Sequence, residues 1–417
     1  MSFNPFEEKP EKVDKGLCDF AKMYPKSYDK DSTNPYTKTR VILMNGTEYE
    51  SVYGGHNFSR NCPDNDLRRD LALIRKVEQT QQKRIAALKP INETILETTI
   101  GYEQLAVDLT AIMAQQEKDE VVKKALDFAL LEDFDHLYRY SNLLDMDDGI
   151  HAERLVGEYT EITPGRPTVS EHRHPYDELS YWIDNKTADP LTKLHACIIT
   201  AAEQQTMNYY MNIGGFYKND LGRKLYSEIA MIEEQHVTRY GGLKDPTLTY
   251  LENCLNHEYT ECYLYYSCLE DESDPEIRKV WELHLNQEIA HLHKVADLLK
   301  KYEKRDWQEV ITRPAFPKLL HFKPNKEYIR TVIAETVNNT AEGEGYVDAC
   351  KYSREYFPSF QNLVNKNIEE TPSHAIITEY VNKFGKDYRY EDTPNPCKEL
   401  QNRTIDNTTV GRCFNKK

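Results

Sequence analysis

Apolar residues recur every three to four positions over most of the chain between residues 64 and 304, which is the spacing of one buried helix face. The stretch LRRDLALIRKVEQTQQKRIAAL is typical, and Pro90 ends the helix that it predicts. Short polar turns near Lys118, Gly214 and Asp274 then fold the following helices back on themselves. Three strong helical hairpins are therefore predicted, at residues 92–144, 190–243 and 246–303.

Weaker patterns flank this helical region. Residues 1–63 are polar and rich in Pro, Asn, Gly and Tyr, and they predict an extended arm in which Asn45 and Gly46 form the turn of a short β-hairpin. Residues 326–384 predict a fourth, degenerate helical hairpin that is broken by glycines and prolines. The tail, residues 385–417, is predicted to be extended. The fold class is accordingly all-α, with extended terminal arms.

The lengths of the connections decide how the hairpins combine. The link 241–245 is too short to cross a helical bundle of about 30 Å, because that distance takes about ten extended residues. The connection 145–189 is long enough for such a crossover. We therefore predict two tandem four-helix bundles, residues 64–243 and the partly degenerate 246–384. A single bundle built from residues 190–304 is the alternative.

Acidic residues and histidines interrupt the apolar pattern at a repeated spacing. In the segment SEIAMIEEQHVTRYGGL, Glu233 precedes His236 by three residues, so both side chains point to one helix face. All three strong hairpins carry such a pair, and in each of them a glutamate stands thirty residues before the acid. The pairs and their glutamates are Asp133/His136 with Glu103, Glu233/His236 with Glu203, and Glu288/His291 with Glu258.

This spacing is the path down one helix, round a short turn and back up its neighbour to the same height. Each hairpin therefore presents a glutamate opposite an acid and a histidine. Such groups are costly to bury among apolar residues unless a partner pairs them. Together with the connection lengths, the spacing predicts a metal site. Its ligands are Glu103, Asp133, His136, Glu203, Glu233 and His236.

The third hairpin needs another partner. The degenerate fourth hairpin is the preferred one, and the same hairpin of a second chain is the alternative. Other polar residues near the motifs are interpreted as solvated, although Glu132 could replace Asp133 as a ligand. The candidate partners in the fourth hairpin are Glu335, Glu342, Glu344 and His374; the residues interpreted as solvated are Glu132, Asp135 and Glu234. One loop carries Glu171, His172 and His174, which are interpreted as solvated too, with a surface metal site as the alternative.

Two hairpins carry a glutamate followed, on the next helix, by Glu-x-x-His. This pattern resembles the ligand set of the ferritin-like dimetal carboxylate proteins, the group of rubrerythrin, bacterioferritin and manganese catalase. The resemblance covers about residues 92–304, and Asp133 departs from it because the family pattern has Glu there. It implies ferritin-like bundles with two iron or manganese ions per site. For the third hairpin it implies a second group of ligands. These are Glu258, Glu261, Glu288 and His291.

The same resemblance suggests a role for two tyrosines. Tyr210 and Tyr265 each stand seven residues after a hairpin glutamate, where members of this group often carry a tyrosine near the metal. We therefore expect both tyrosines to take part in catalysis. Glu261 stands where rubrerythrins have an extra carboxylate ligand.

Charge and cysteine content exclude several classes of function. The 53 basic and 69 acidic residues give a net charge of −16, which disfavours a nucleic-acid partner. The start lacks the apolar segment of a signal peptide and no run of eighteen apolar residues occurs, so we expect a soluble, cytoplasmic protein without membrane contact. Nine cysteines without a CxxC pair argue against a disulfide framework, a zinc knuckle and a rubredoxin-type iron site, and favour free thiols.

The function expected from the sequence is a dimetal oxidoreductase that acts on peroxide or dioxygen, of catalase, peroxidase or ferroxidase type. Hard oxygen ligands with one imidazole per metal suit iron or manganese. The missing cysteine cluster argues against a self-contained rubrerythrin peroxidase, which would need an electron relay. Two alternatives stay open: a metal-storage or helical binding protein with partly vestigial sites, and a di-iron oxygenase with an organic substrate. We also expect a homo-oligomer, a dimer or larger.

Overall fold

The computed structural model describes residues 2–179 and 181–413, and these form twelve α-helices and one two-stranded antiparallel sheet. The predicted all-α class is confirmed. None of the described helices is both long and apolar enough to cross a lipid bilayer. The elements are α1 Pro35–Asn61, α2 Asn65–Ala86, α3 Ile95–Gln116, α4 Glu120–Asp148, α5 Ala152–Val156, α6 Pro190–Ile213, α7 Asp220–Gly241, α8 Tyr250–Asp271, α9 Pro275–Glu303, α10 Lys326–Thr336, β1 Asn339–Glu342, β2 Gly345–Asp348, α11 Tyr356–Val364 and α12 Pro372–Phe384.

The chain packs as two units, and each unit is made of segments that are distant in sequence. Among the described residues, the first unit contains 2–93, 182–205 and 244–322, and the second contains 94–179, 181, 206–243 and 323–413. Helix α6 is continuous across this division, which falls between Gln205 and Thr206. Each unit therefore combines residues from more than one of the consecutive domains that the sequence predicted.

The first unit is built on two helical hairpins, α1–α2 and α8–α9, in which α1 packs against α8 and α2 against α9. Asp64 caps α2 with its side chain, and Thr249 forms a reciprocal capping box with Glu252 at the start of α8. Asp274 and Pro275 begin α9 in the same favourable way. Buried apolar side chains fill the interior of this unit. They include Leu43, Ile74, Val77, Leu264, Trp281 and Leu285.

The second unit is organised around α4, which pairs with α3 as a hairpin and also packs against α7, α10 and α12. Thr94 and Glu97 form the capping box of α3, and Asp119 caps α4. Because α4 is surrounded, all of its residues from Phe128 to Asp145 are buried. A helix enclosed on several sides can bury ligands on more than one face.

Residues 35–61 form helix α1, so the prediction of an extended arm with a β-hairpin is wrong for this segment. Asn45 and Gly46 are helical, and the Asn45 side chain donates a hydrogen bond of 3.1 Å to Gln205 Oε1. A Cβ atom on Gly46 would lie 2.8 Å from that oxygen. The glycine therefore permits close packing of a neighbouring helix. The Asn-Gly pair, which usually signals a turn, here serves a helix contact.

Residues 326–384 do not form the single helical hairpin that the sequence predicted. They form three separate helices, α10, α11 and α12, with the β1–β2 hairpin between α10 and α11. The tail is irregular apart from one short 3₁₀ turn, Lys398–Gln401, and its last four residues lie outside the described part of the chain. Cys350 and Cys413 form a disulfide, where the sequence predicted free thiols.

Candidate metal sites

Five buried side chains of metal-ligand type from three helices meet inside the second unit. They are Glu103 of α3, Asp133 and His136 of α4, and Glu233 and His236 of α7, and we name them the second-unit site. One ligand atom each of Glu103, Asp133, His136 and Glu233 lies within 4.8 Å of the others. His236 joins this group, because its Nδ1 is 3.4 Å from Asp133 Oδ1 and 3.4 Å from Glu233 Oε2.

Carboxylates hold both imidazoles of this site in place. Nδ1 of His136 lies 3.2 Å from Glu233 Oε1, and its Nε2 lies 3.3 Å from Glu171 Oε2. Nε2 of His236 lies 2.6 Å from Glu132 Oε2. Glu132 and Glu171 therefore fix the orientation of the rings, as carboxylates next to metal-binding histidines commonly do.

Several residues that the sequence suggested to be solvated are buried, so that interpretation is wrong for them. Arg173 approaches Glu132 Oε1 to 3.1 Å, and Arg139 approaches Asp135 Oδ2 to 2.9 Å, which compensates two of the buried charges. The enclosure of α4 on several sides explains the error. The buried residues are Glu132, Asp135, Glu171 and His172, whereas Glu234 is exposed as predicted.

Burial and neighbouring charges shift the pKa values of this site in opposite directions. Burial raises the pKa of Glu171 to about 8, although the hydrogen bond with His136 acts against it. For Glu132, burial is outweighed by Arg173 and His236, which lower its pKa to about 2. Burial would lower the pKa of His136, but Glu171 and Glu233 raise it well above its ordinary value. The site thus concentrates negative charge around two imidazoles.

A second cluster lies inside the first unit. One ligand atom each of Glu78, Glu258, Glu288 and His291 lies within 4.8 Å of the others, and all four residues are buried. Nδ1 of His291 lies 3.0 Å from Glu288, 3.7 Å from Glu258 and 3.8 Å from Glu78. Two more buried carboxylates interact with Glu288 electrostatically. They are Glu48 of α1 and Glu261 of α8, and we name all six residues the first-unit site.

The polar atoms of the first-unit site fit a bound cation. Several of them have no hydrogen-bond partner among the described residues, and leaving a buried polar group unpaired costs about 1–3 kcal/mol. A cation would take up the lone pairs of these atoms, and carboxylates with an imidazole suit iron or manganese. The atoms are Glu48 Oε2, Glu78 Oε1, Glu258 Oε2, both carboxylate oxygens of Glu261, and His291 Nε2; Oε1 of Gln81, which is next to the site, also has no partner.

Crowding of carboxylates raises most pKa values of the first-unit site. Burial and then repulsion by neighbouring glutamates raise the pKa values of Glu48, Glu258 and Glu261. Burial raises the pKa of Glu78 to about 7, although His291 acts against it. Glu288 is different, because the imidazole of His291 and several hydrogen bonds outweigh its burial and lower its pKa. A cation would offset this accumulation of negative charge.

The partner of the α8–α9 hairpin within the chain is α1–α2, so the preferred prediction, the fourth hairpin, is wrong. The acids and the histidine of residues 326–384 belong to the second unit and are absent from the first-unit site within the described residues. The alternative of one bundle from residues 190–304 is also wrong, since Glu233 and His291 belong to sites in different units.

The sequence does contain the signal for the missing partner. Glu78 follows Glu48 by thirty residues, as in the other hairpins, but Gln81 stands where the others have His. The α1–α2 hairpin therefore lacks the acid-x-x-His pair that marks the other three hairpins. A longer repeat also relates the two halves of the chain, because equivalent positions are one hundred and fifty-five residues apart. The equivalent pairs are Glu48 and Glu203, Glu78 and Glu233, Gln81 and His236, Glu103 and Glu258, Asp133 and Glu288, and His136 and His291.

This repeat explains how the hairpins combine. The capping boxes at Thr94 and Thr249 obey the same offset, which supports the equivalence of the halves. Each half contributes two hairpins joined by a short link, and a short link does not allow them to complete one another. Each site accordingly combines a hairpin from one half with a hairpin from the other.

Both predicted tyrosines contact a carboxylate of a site. Tyr210 donates a hydrogen bond of 2.5 Å to Glu103 Oε1. Tyr265 donates one to Glu48 Oε1, and its hydroxyl is also 3.0 Å from Nδ1 of His284. These contacts position the two glutamates, whereas the catalytic role of the tyrosines remains a prediction.

Glu203 is buried on α6, seven residues before Tyr210. It precedes Thr206, the first α6 residue of the second unit, by less than one helical turn. Its role as a metal ligand, expected from the sequence, remains a prediction.

The two sites share the chemistry of hard oxygen donors with imidazole, deep inside helical units. Such a donor set can bind a pair of iron or manganese ions, and it can also hold protons on the carboxylates whose pKa values are raised. No protein-family model, no curated protein and no solved structure matches this chain.

Proposed function

We propose that the chain is a ferritin-like dimetal carboxylate oxidoreductase that acts on a small oxidant, hydrogen peroxide or dioxygen. The observation that carries this proposal is the group of Glu103, Asp133, His136 and Glu233, whose ligand atoms lie within 4.8 Å of one another. We add Glu203 to the proposed ligand set because it stands thirty residues before Glu233. We add His236 because its Nδ1 lies 3.4 Å from both Asp133 and Glu233. Two iron or manganese ions in such a site would exchange two electrons with the oxidant.

The depth of the sites supports a small substrate. The side chains of Glu103, Asp133 and His136 have no exposed surface, and Glu233 and His236 are 1% exposed. A large molecule does not reach such groups without a rearrangement of the surrounding helices, whereas peroxide and dioxygen are small enough to diffuse through a packed interior. The same depth excludes bulk water and strengthens the interactions of charged groups.

The protein's own residues would supply positioning and protons. The hydrogen bond from Tyr210 holds Glu103 in one orientation. Burial raises the pKa of Glu171 to about 8, and its carboxyl lies 3.3 Å from Nε2 of His136. Reduction of peroxide to water consumes protons, so a carboxyl that titrates near the working pH is suited to deliver them.

The test is to measure bound metal and then the response to peroxide. We expect the purified protein to contain iron or manganese, and elemental analysis that finds neither after growth with both metals would contradict the proposal. Release of oxygen from peroxide without a donor identifies a catalase, and turnover only with a reductant identifies a peroxidase. Oxidation of added Fe²⁺ without either of these activities favours storage. The control is the variant His136→Ala with His236→Ala, in which the second-unit site should be empty.

A second candidate function, a di-iron oxygenase with an organic substrate, is favoured by a cavity next to Tyr210. The cavity has a volume of about 550 Å³, and Met211, Gln235 and Phe360 also line it. Gly215 lies on its wall, and a Cβ atom added there meets no atom within 4 Å. The variant Gly215→Trp should therefore fill the cavity without disturbing the fold. If native mass spectrometry detects an organic molecule that this variant no longer binds, the oxygenase function is supported; unchanged peroxide turnover in the variant supports the first proposal.

A further inference from the structure

The two candidate sites differ in their nitrogen donors. In the repeat that relates the two halves of the chain, Gln81 occupies the position of His236. The second-unit site therefore has two imidazoles, those of His136 and His236, whereas the compact group of the first-unit site contains one, that of His291. An imidazole and an amide are not equivalent ligands, because an amide binds a metal through its oxygen atom.

The contacts of Gln81 place its amide among the carboxylates of the first-unit site. The side chain has no exposed surface, and its Nε2 donates a hydrogen bond to Glu288 Oε1. Its Oε1 atom has no hydrogen-bond partner among the described residues. Gln81 is thus a buried, partly unsatisfied polar group that faces the ligands at the position where the other site has a histidine.

Two other histidines lie near the first-unit site, but neither stands at the position of Gln81 in the repeat. His284 is buried, but both of its ring nitrogens are engaged, Nδ1 with the Tyr265 hydroxyl at 3.0 Å and Nε2 with Arg84 at 2.7 Å. His257 approaches the site as well, since its Nε2 lies 3.4 Å from Glu261 Oε1 and has no hydrogen-bond partner among the described residues, but it stands outside the compact group around His291. The position of Gln81, whose side chain contacts Glu288 directly, therefore offers an amide oxygen where the second-unit site offers an imidazole nitrogen.

We infer that Gln81 gives the first-unit site an oxygen donor where the second-unit site has the nitrogen donor of His236, and that this replacement raises the preference for Mn²⁺ relative to Fe²⁺ above that of the second-unit site. The inference rests on the proposed function, since it requires both sites to bind metal. Imidazole nitrogen favours Fe²⁺ over Mn²⁺, as expected from the general order of stability of divalent metal complexes, whereas carboxylate and amide oxygens suit Mn²⁺. Removing the nitrogen donor therefore reduces the advantage of Fe²⁺.

Charge supports a hard cation in the first-unit site. The first-unit site combines five carboxylates, and its Glu48, Glu78, Glu258 and Glu261 all have at least one oxygen without a hydrogen-bond partner among the described residues. Oxygen atoms that are not engaged by protein donors are available to a cation that takes six oxygen ligands.

The experiment compares the two sites separately in the full chain. His136→Ala with His236→Ala leaves the first-unit site, and Glu78→Gln with His291→Ala leaves the second. Both variants are saturated anaerobically with equal concentrations of Mn²⁺ and Fe²⁺, freed of unbound metal and analysed for both elements. We expect the ratio of bound manganese to bound iron to be about tenfold higher for the first-unit site, which corresponds to a modest difference in binding free energy.

A change at Gln81 tests the cause of the selectivity. Gln81→His in otherwise unchanged protein should lower the bound manganese-to-iron ratio, because it restores the second imidazole. Gln79→His is the matched control, since Gln79 is exposed on the same helix and should leave the ratio unchanged. This comparison needs neither site to be removed, so it decides the question even if the site-deletion variants fail to fold.

The outcomes separate this inference from the proposed function. Equal ratios in both sites, or a Gln81→His variant that binds metal at the unchanged ratio, would overturn the selectivity while leaving the proposed function intact. Absence of metal from the unchanged protein and from all variants would instead contradict the proposed function.

Discussion

Tyr210 donates a hydrogen bond of 2.5 Å to Glu103, and Tyr265 makes the equivalent contact with Glu48. Both tyrosines belong to the second half of the chain and both glutamates to the first half. Each contact therefore joins a hairpin of one half to a hairpin of the other. The same two contacts orient one carboxylate in each candidate site, so the pairing of the hairpins and the geometry of the sites depend on the same residues.

Replacement of Tyr210 by Phe should weaken metal binding at the second-unit site. The ring is retained, but Glu103 loses the hydrogen bond that fixes its carboxylate, and the loss of such an outer contact typically lowers metal affinity about 10–100-fold. Affinity can be measured by competition with a chelator, and metal at the first-unit site should be unaffected.

Tyr140→Phe is the matched control for this change. Tyr140 is fully buried and its ring packs against Tyr210 at a centroid distance of 5.3 Å, but its hydroxyl has no hydrogen-bond partner among the described residues. Its removal should leave metal affinity unchanged and the stability equal or slightly higher. If both variants lose affinity equally, ring packing and not the hydrogen bond positions Glu103.

Replacement of Glu78 by Gln should stabilise the metal-free protein at high pH while impairing metal binding. Burial raises the pKa of Glu78 to about 7 in the folded protein, above its ordinary value of 4.5. The contribution of this carboxyl to stability is therefore complete below pH 4.5 and is lost as the pH rises through about 7, because the folded state must then hold an unfavourable charge. Gln cannot ionise, so the variant avoids this loss.

The measurement is the free energy of unfolding by urea, for both proteins, in the presence of a chelator between about pH 4 and pH 8. We expect the difference between variant and unchanged protein to grow in favour of the variant as the pH rises. Added Mn²⁺ should reverse the order, because only the unchanged protein keeps the full set of ligands. A difference that does not depend on pH would argue against a raised pKa of Glu78.

The helices that the sequence predicted correctly are those whose apolar spacing and capping residues favour the same conformation as the packing of the folded chain. The apolar spacing, the Asp119 cap and the Asp274-Pro275 start all favour helices at the places where the structure has them. Helix α1 was missed because its Asn45-Gly46 pair is a strong local turn signal that packing overrides. Local propensity cannot reveal that a glycine is needed for the close approach of Gln205.

The candidate sites were predictable to the extent that their ligands repeat along the chain. The spacing of thirty residues between a glutamate and the next acid predicted ligands in three hairpins. In the structure, Glu103, Asp133, His136 and Glu233 lie together. Glu171 could not be predicted, because it comes from an irregular connection whose path depends on the whole unit. Glu48 and Glu78 are also thirty residues apart, but this hairpin was not recognised because position 81 is Gln where the other hairpins have His.

The histidines should behave as two independent groups when metal content is measured. His136→Ala and His236→Ala both affect the second-unit site, so the double variant should lose little more metal than either single variant. His291→Ala should empty the first-unit site and leave the second filled. Coupled behaviour of His236 and His291, with His136 dispensable, would contradict the pairing of hairpins described above.

The helical conformation and packing of α1 can be tested with two glycines on the same helix. Gly54→Ala should stabilise the protein by about 0.5–1 kcal/mol, because a Cβ there meets no atom within 4 Å and alanine favours a helix.

Gly46→Ala brings the same gain in helix propensity, but its Cβ would lie 2.8 Å from Gln205 Oε1 and 3.2 Å from the carbonyl oxygen of Ala201. The side chain can move away, whereas the backbone oxygen cannot do so easily. Overpacking of this kind typically costs about 1–3 kcal/mol, so the net effect should be a loss of stability. Both effects can be measured by urea unfolding of the metal-free proteins, and a loss at Gly54 as large as that at Gly46 would contradict a helix in this segment.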